Sequence, residues 1–242
     1  MNHSHTLKIV ELFAGTKSCS KVARRLGHKT WTNDINPDFN CDLTGDILEE
    51  EIQVQIMNEV KNADVVWMSP ECTKWSLSAG NTYWTKYRMP RRDDVYDSIK
   101  MMLFCRFVAD YCVKNNKFFF IENPNGRAVW ILANQYLKRC WYCQYGDTRA
   151  KPTNIWTNLE NWNPKTCHNG NKDCHHESAP RGSKTGTQGL KGSINRSRIP
   201  PKLFVEIFET IKLNSEKQKV PCTTKHGIPP KPKDLDTLPI LT

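Results

Sequence analysis

The chain has 242 residues, 38% of them hydrophobic and 25% charged, which is enough to close a core and too apolar for a chain disordered throughout. Its 35 basic against 25 acidic residues leave a formal charge of +10, with most of the excess in residues 151–242, so a polyanion such as nucleic acid is the expected partner, with solubility alone as the bland alternative. No apolar run approaches the roughly 18 residues that cross a bilayer, and the start MNHSHTLKIVELF lacks the pattern of a signal peptide. A soluble, cytoplasmic protein that is not secreted and has no membrane partner is expected.

Residues 7–13 read as a buried strand ending in the turn Ala14-Gly15-Thr16. Ser18 is placed to cap a helix whose inward face holds Val22, Ala23 and Leu26, with Gly27 as its stop. A second strand over 30–35 closes on Asp34, a helix follows over 51–60, and a strand over 64–68 leads into Ser69-Pro70-Glu71-Cys72. Residues 94–113 read as a long helix with Ile99, Leu103, Phe107 and Tyr111 as its apolar positions. Residues 117–121 form a wholly apolar strand before Glu122-Asn123-Pro124. A helix is expected over 129–138, and strands over 141–145 and 154–157. From 161 to 198 the composition turns to Gly, Ser, Asn, Lys, Cys and His without periodicity. Pro200 and Pro201 then open an amphipathic helix carrying Phe204, Ile207, Phe208 and Ile211, and the proline- and lysine-rich stretch from Ser215 reads as an extended arm. Strands alternating with helices at this spacing predict an α/β fold, a Rossmann-like doubly wound parallel sheet with helices on both faces.

Ligands of such a sheet gather at the carboxyl ends of its strands, and three of those ends carry distinctive side chains. FAGTKS has one glycine where the dinucleotide fingerprint needs three, which disfavours NAD. The turn nevertheless lets backbone N–H groups approach a ligand, and Asp34 ends the next strand, where an acid holds ribose hydroxyls. Cys19, Cys105 and Cys112 lie in apolar surroundings and read as core thiols, whereas Cys72 follows Pro70 in an exposed turn. With Glu122 ending a neighbouring strand, Cys72 makes a thiol nucleophile beside a carboxyl that can protonate or hold a substrate nitrogen; a structural cysteine is the alternative. The stretch 73–92 interleaves Trp75, Tyr83, Trp84 and Tyr87 with Lys86, Arg88, Arg91 and Arg92, which suits a loop closing over phosphates or a partly packed surface loop. Cys143, Cys167, Cys174 and His175 form a candidate set for a structural zinc ion, drawn from a polar lobe too small to have its own core.

In this order the motifs resemble the cytosine-5 DNA methyltransferase family, particularly its short phage and viral forms, over roughly residues 9–211. ELFAGTKS is similar to the family's first motif, WTNDI to its second, the GDI at 45–47 to its third, SPECTKWS to the Pro-Cys motif and FFFIENP to the Glu-Asn motif. YGDTRAKPTNIWTN resembles the arginine-bearing motif, and GSINRSRIPPKL the last one. The resemblance implies S-adenosylmethionine as cofactor, lined by Phe13, Ala14, Gly15, Thr16 and Pro70, with Asp34 on the ribose and Ile35, Asp46 and Ile47 about the adenine. It implies Cys72 as the nucleophile toward a flipped-out cytosine, Glu122 on the ring nitrogen and exocyclic amine, and Arg149 or Lys151 on the cytosine carbonyl. Double-stranded DNA bound by a monomer is the implied partner; an RNA (tRNA) cytosine methyltransferase and a DNA-binding relative without catalysis are the alternatives. On this reading residues 1–158 are the catalytic and cofactor-binding domain, 159–198 a small target-recognition lobe or loop, 199–214 a helix returning to the catalytic domain, and 215–242 a tail. Departures from the family pattern are Glu71 for proline, Lys17 for glycine and Pro124 for valine. The carboxylate beside Cys72 should raise its pKa unless it points away. Replacing Arg181 and Lys184 by alanine is expected to weaken DNA binding and flatten its salt dependence, measured by titration at several salt concentrations.

Overall fold

The computed structural model describes residues 6–177 and 192–219. A strand buried on both faces reads as a near-continuous apolar run, and this requirement orders the molecule. In chain order the elements are β1 (Lys8–Leu12), α1 (Ser18–Arg25), β2 (Lys29–Asp34), β3 (Leu43–Thr44), α2 (Glu50–Lys61), β4 (Val65–Met68), α3 (Asp94–Lys114), β5 (Phe118–Pro124), β6 (Leu137–Trp141), β7 (Pro152–Thr157), α4 (Ser193–Ser197) and α5 (Pro201–Lys219). The sheet order is β3-β2-β1-β4-β5-β7-β6. The first five strands are parallel, while β7 runs antiparallel to both β5 and β6. This is the Rossmann-like doubly wound architecture, closed by an antiparallel hairpin at one edge.

Alternation along the central strands sends side chains into two cores. Val10, Leu12, Val66, Met68, Phe119 and Ile121 meet α2 and α3 through Ile52, Ile56, Met102, Cys105, Val108 and Cys112. Ile9, Val65, Trp67 and Phe120 meet α1 and α5 through Val22, Ala23, Leu203, Phe204, Ile207 and Ile211. Trp67 stacks on Phe120 at 5.5 Å and meets Phe204 edge-on at 4.7 Å. The registers Leu12↔Met68 and Met68↔Ile121 bring the carboxyl ends of β1, β4 and β5 level. Strand order reverses between β1 and β4, which opens a crevice at those ends.

Several local expectations are corrected. Residues 129–138 do not form a helix: short 3-10 turns at Arg127–Trp130 and Asn134–Tyr136 lead into β6, because pairing with β7 outweighs local helical preference. The strand expected over 141–145 is a 3-10 turn at Tyr142–Tyr145. In α3 the buried face runs through Val95, Ser98, Met102, Cys105, Val108 and Cys112, whereas Leu103 and Phe107 are 48% and 56% exposed. Leu26 ends α1 exposed rather than facing the core. Ser18 supplies no cap. The buried Glu11 of β1 accepts instead from the N–H groups of Cys19 (3.1 Å) and Ser20 (2.8 Å), filling two of the four open donors at the start of α1. Burial pushes the Glu11 carboxyl above its usual range, against the pull of those same bonds.

Cys19, Cys105 and Cys112 are buried as expected, and all the cysteines among the described residues are free thiols. No helix among the described residues is long and apolar enough to cross a membrane. Phe204→Ala should lower stability by about 3–5 kcal/mol, seen as a reduced urea midpoint with the slope unchanged.

Candidate active site

Two adjoining cavities open at the level carboxyl ends. The first, of about 450 Å³, is lined by Phe13, Asp34, Ile35, Asp46, Ile47, Ser69 and Met101, among others. The second, of about 340 Å³, is lined by Ala14, Gly15, Thr16, Pro70, Cys72, Glu122 and Lys151, and shares Phe13, Ser69 and Glu71 with the first. The expected cofactor-binding residues therefore all line one or other of these adjoining cavities, and Cys72 and Glu122 line the second together with Ala14, Gly15, Thr16 and Pro70.

The loop after β1 is held in an unusual shape. Phe13, Gly15 and Lys17 take positive φ values of 55°, 46° and 56°, a conformation that costs a side-chain-bearing residue of order 1 kcal/mol. The shape is fixed from outside: Ala14 N–H donates to the Asn33 carbonyl (2.9 Å) and Gly15 N–H to Asp34 Oδ2 (2.8 Å). Lys17 thus adopts the conformation that glycine would take without strain, and its ammonium caps the Asn40 carbonyl. Asp34 Oδ1 accepts from Asn36 N–H (2.9 Å), so the carboxylate is oriented while each oxygen keeps a lone pair for a ligand hydroxyl.

Cys72 lies four residues beyond β4, in a loop tied to β5. Asn123 Nδ2 donates to the Pro70 carbonyl (3.1 Å), and Arg127 N–H to the Trp75 carbonyl (2.7 Å). Arg127 Nη1 and Nη2 hold the Ser76 and Gly80 carbonyls, each at 2.7 Å. Gly126 permits this approach, since a Cβ there would fall 2.4 Å from the Trp75 carbonyl oxygen. In the following stretch Trp75 and Trp84 are core residues, whereas Tyr87 is 74% exposed, so the two readings divide the loop between an anchored base and an exposed tip.

Glu122 is buried and accepts from Tyr142 Oη at 2.9 Å; Lys151 Nζ stands 3.9 Å from the same oxygen, Oε1, and 4.9 Å over the Tyr142 ring. Burial, and then the charge of Glu122, push the Tyr142 phenol well above its usual range, so it stays a proton donor. The Cys72 thiol is also raised, chiefly by burial; Lys151 pulls it down, while Glu122 and Glu71 push it up. Glu71 is exposed and its Oε2 turns to Lys74 Nζ and Ser98 Oγ, both at 3.3 Å.

Arg149 does not reach this cavity. Its side chain is 2% exposed and grips Asp147 with Nε (2.8 Å) and Nη2, the Arg196 carbonyl with Nη1 (2.9 Å) and the Arg198 carbonyl with Nη2 (3.0 Å). It clips the turn before β7 to the end of α4, and the cation facing Glu122 is Lys151. Asp147 is held below the usual carboxylate range by Arg149 although its burial works the other way. The sequence reading also missed Tyr142, which follows β6 immediately and reaches Glu122 only because β6, β7 and β5 pair across the sheet edge.

Cys143, Cys167 and Cys174 are brought together, but with His176 rather than His175. Their ligand atoms lie within 4.8 Å of one another, a group that could hold a metal ion, whereas His175 Nε2 faces the Asp147 carbonyl at 3.1 Å. Arg181 and Lys184, expected to contact DNA, lie outside the described residues, as does the stretch beyond Lys219.

A probable DNA (cytosine-5)-methyltransferase of Frog virus 3 (isolate Goorha) is 29% identical over 222 residues, covering 84% of this chain and 99% of that protein. This chain resembles the cytosine-5 methyltransferases. No protein-family model matches it. Among solved structures it is similar to the S. pombe Dnmt2 methyltransferase at 15% identity and a TM-score of 0.39, covering 63% of this chain and 49% of that one. A DNMT2 variant from Spodoptera frugiperda matches at 17% identity and a TM-score of 0.39, over 67% and 53%. The chain spans about half the length of these two structures.

Because Lys151 is the cation that lowers the Cys72 pKa, Lys151→Met should move the midpoint of Cys72 alkylation by iodoacetamide to higher pH and slow labelling several-fold at pH 8, read by peptide mass spectrometry. An unchanged midpoint would contradict the electrostatic pairing.

Proposed function

We propose that the protein is a DNA cytosine-5 methyltransferase that transfers a methyl group from S-adenosylmethionine to carbon 5 of a flipped-out cytosine through a covalent adduct with Cys72. The observation that carries this reading is a thiol, a buried carboxyl and an ammonium, Cys72, Glu122 and Lys151, lining one cavity that adjoins a second cavity at the Asp34 strand end. Methyltransferase chemistry and DNA as substrate are supported by the similarity to the probable DNA (cytosine-5)-methyltransferase of Frog virus 3.

The donor set of the first cavity fits S-adenosylmethionine. Asp34 offers oriented carboxylate lone pairs to ribose hydroxyls, Ile35 and Ile47 offer apolar walls to the adenine, and Asp46 offers an acceptor beside them. When bound, the cofactor supplies an electrophilic methyl group. Carbon 5 of cytosine is a poor nucleophile by itself. Addition of the Cys72 sulfur to carbon 6 breaks the ring double bond and delivers its electron pair toward carbon 5, where the methyl group is accepted. Glu122 binds the ring nitrogen and exocyclic amine, offsetting charge as it develops, and Tyr142 fixes that carboxyl. Lys151 faces the remaining carbonyl and favours the thiolate. Transfer of the carbon-5 proton to solvent water then leaves its electron pair to restore the double bond and expel the Cys72 thiolate. Desolvation raises the Cys72 thiol above its usual range, and Lys151 is the group that opposes that rise.

Purified protein incubated with duplex DNA and S-adenosylmethionine should yield 5-methylcytosine on nucleoside mass analysis. It should also form a denaturant-resistant adduct with DNA containing 5-fluorocytosine, which Cys72→Ser abolishes while binding is kept. An adduct that persists in Cys72→Ser removes the assigned nucleophile; product on tRNA instead of DNA replaces the substrate; and neither product nor adduct leaves a binding protein.

A further inference from the structure

The stretch after β7 is drawn against the sheet although it has almost nothing apolar to hold it there. Between Asn163 and Glu177 only Pro164 and the two cysteines are not polar, charged or glycine. Hydrogen bonds fix its path: Trp141 N–H to the Lys165 carbonyl (3.1 Å), Lys165 N–H to Tyr145 Oη (2.9 Å) and Glu177 N–H to the Thr148 carbonyl (2.9 Å). These contacts bring Cys167, Cys174 and His176 to the turn after β6, where Cys143 is buried. A small polar segment without a core of its own needs a cross-link to keep one conformation.

We infer that Cys143, Cys167, Cys174 and His176 together bind one zinc ion that staples residues 163–177 to the turn following β6. In a tetrahedral site with Zn–S near 2.3 Å, neighbouring ligand atoms stand about 3.8 Å apart. The four atoms here are all within 4.8 Å, and His176 Nδ1 is 3.9 Å from Cys167 Sγ, so closure needs shifts of an ångström or less. Three sulfurs and an imidazole are soft donors that select zinc over magnesium or calcium. Four protein ligands complete the shell and leave no position for substrate, which makes the site structural.

The surroundings carry an independent sign. Gln144 Nε2 points at Cys174 Sγ (3.4 Å) and Asn171 Nδ2 at Cys167 Sγ (3.6 Å), so two side-chain amides are aimed at sulfurs as donors. Each thiol gives up a proton to solvent on binding, leaving three thiolates and a neutral imidazole about a divalent cation, and the amides spread the resulting single negative charge. Gly170 N–H donates to His176 Nε2 at 3.3 Å, which leaves Nδ1 as the ring nitrogen on the side of Cys167; metal binding through Nδ1 would place the ring proton on Nε2 and would require that contact to break. Cys143 adjoins Tyr142, the residue that holds Glu122, so the staple braces the turn behind the buried carboxyl.

Full-length protein purified in reducing buffer from zinc-supplemented culture should contain about one zinc per chain by atomic emission. After chelation, added Co²⁺ should give the intense near-ultraviolet thiolate charge-transfer band and visible bands of a tetrahedral site. Cys167→Ser and His176→Ala should each lower zinc content at least about fivefold, while His175→Ala keeps it. Wild-type protein with less than about a tenth of an equivalent of zinc and no cobalt spectrum would overturn the site, whatever the variants do. So would loss of metal in His175→Ala with retention in His176→Ala, or a thiol titration showing two of the three cysteines joined as a disulfide. None of these readouts requires methyl transfer, so the site stands or falls separately from the proposed activity.

Discussion

The central strands are buried on both faces, and that constraint decides where chemistry can occur. β1, β4 and β5 have a packed core above and below, so nearly every interior position is aliphatic or aromatic. Polar groups are confined to the strand ends, and parallel pairing in level register puts those ends side by side. Asp34, Cys72 and Glu122 come together for this reason, although they are far apart in the chain. Glu11 is the exception that shows the rule: a carboxyl inside β1 persists because two helix N–H groups meet it, and it in turn fixes where α1 begins.

Within the cavity the groups are arranged by competition between burial and charge. Burial drives Cys72 toward the neutral thiol, and the two nearby carboxylates act in the same direction; Lys151 opposes them. Lys151 is held over the ring of Tyr142, whose hydroxyl donates to Glu122, so one aromatic side chain positions both the cation and the anion. Such a network is sensitive at every member, because removing one leaves another buried without its partner.

Much of this was legible in the sequence because the informative residues are local. A strand followed by a turn with a distinctive polar residue is written in a few consecutive letters, and FAGTKS, SPEC and IENP each place one wall of the crevice. What was not legible depended on pairing between distant segments. Residues 129–138 carry a helical pattern, and only the partnership of β6 with β7 makes part of them a strand. Arg149 and Lys151 are two residues apart, and no local rule says which faces Glu122; the carbonyls of Arg196 and Arg198 take Arg149 away. His175 and His176 pose the same problem, settled by a carbonyl at Asp147. The face of α3 was misread because Leu103 and Phe107 are apolar yet exposed, while Ser98 is buried.

Helix α5 has a consequence for how the protein is made. It covers the Trp67 face of the sheet beside α1, and the Ile199 N–H donates to Ser18 Oγ across 181 residues of chain. During synthesis, therefore, the core between α1 and the sheet stays open until α5, made after β1 to β7, can dock. Until then Trp67, Phe120 and Val22 lack part of their cover, and the loop after β1 rests on an unfinished layer. A nascent chain in this state exposes apolar surface open to self-association, and docking of α5 is what completes that layer.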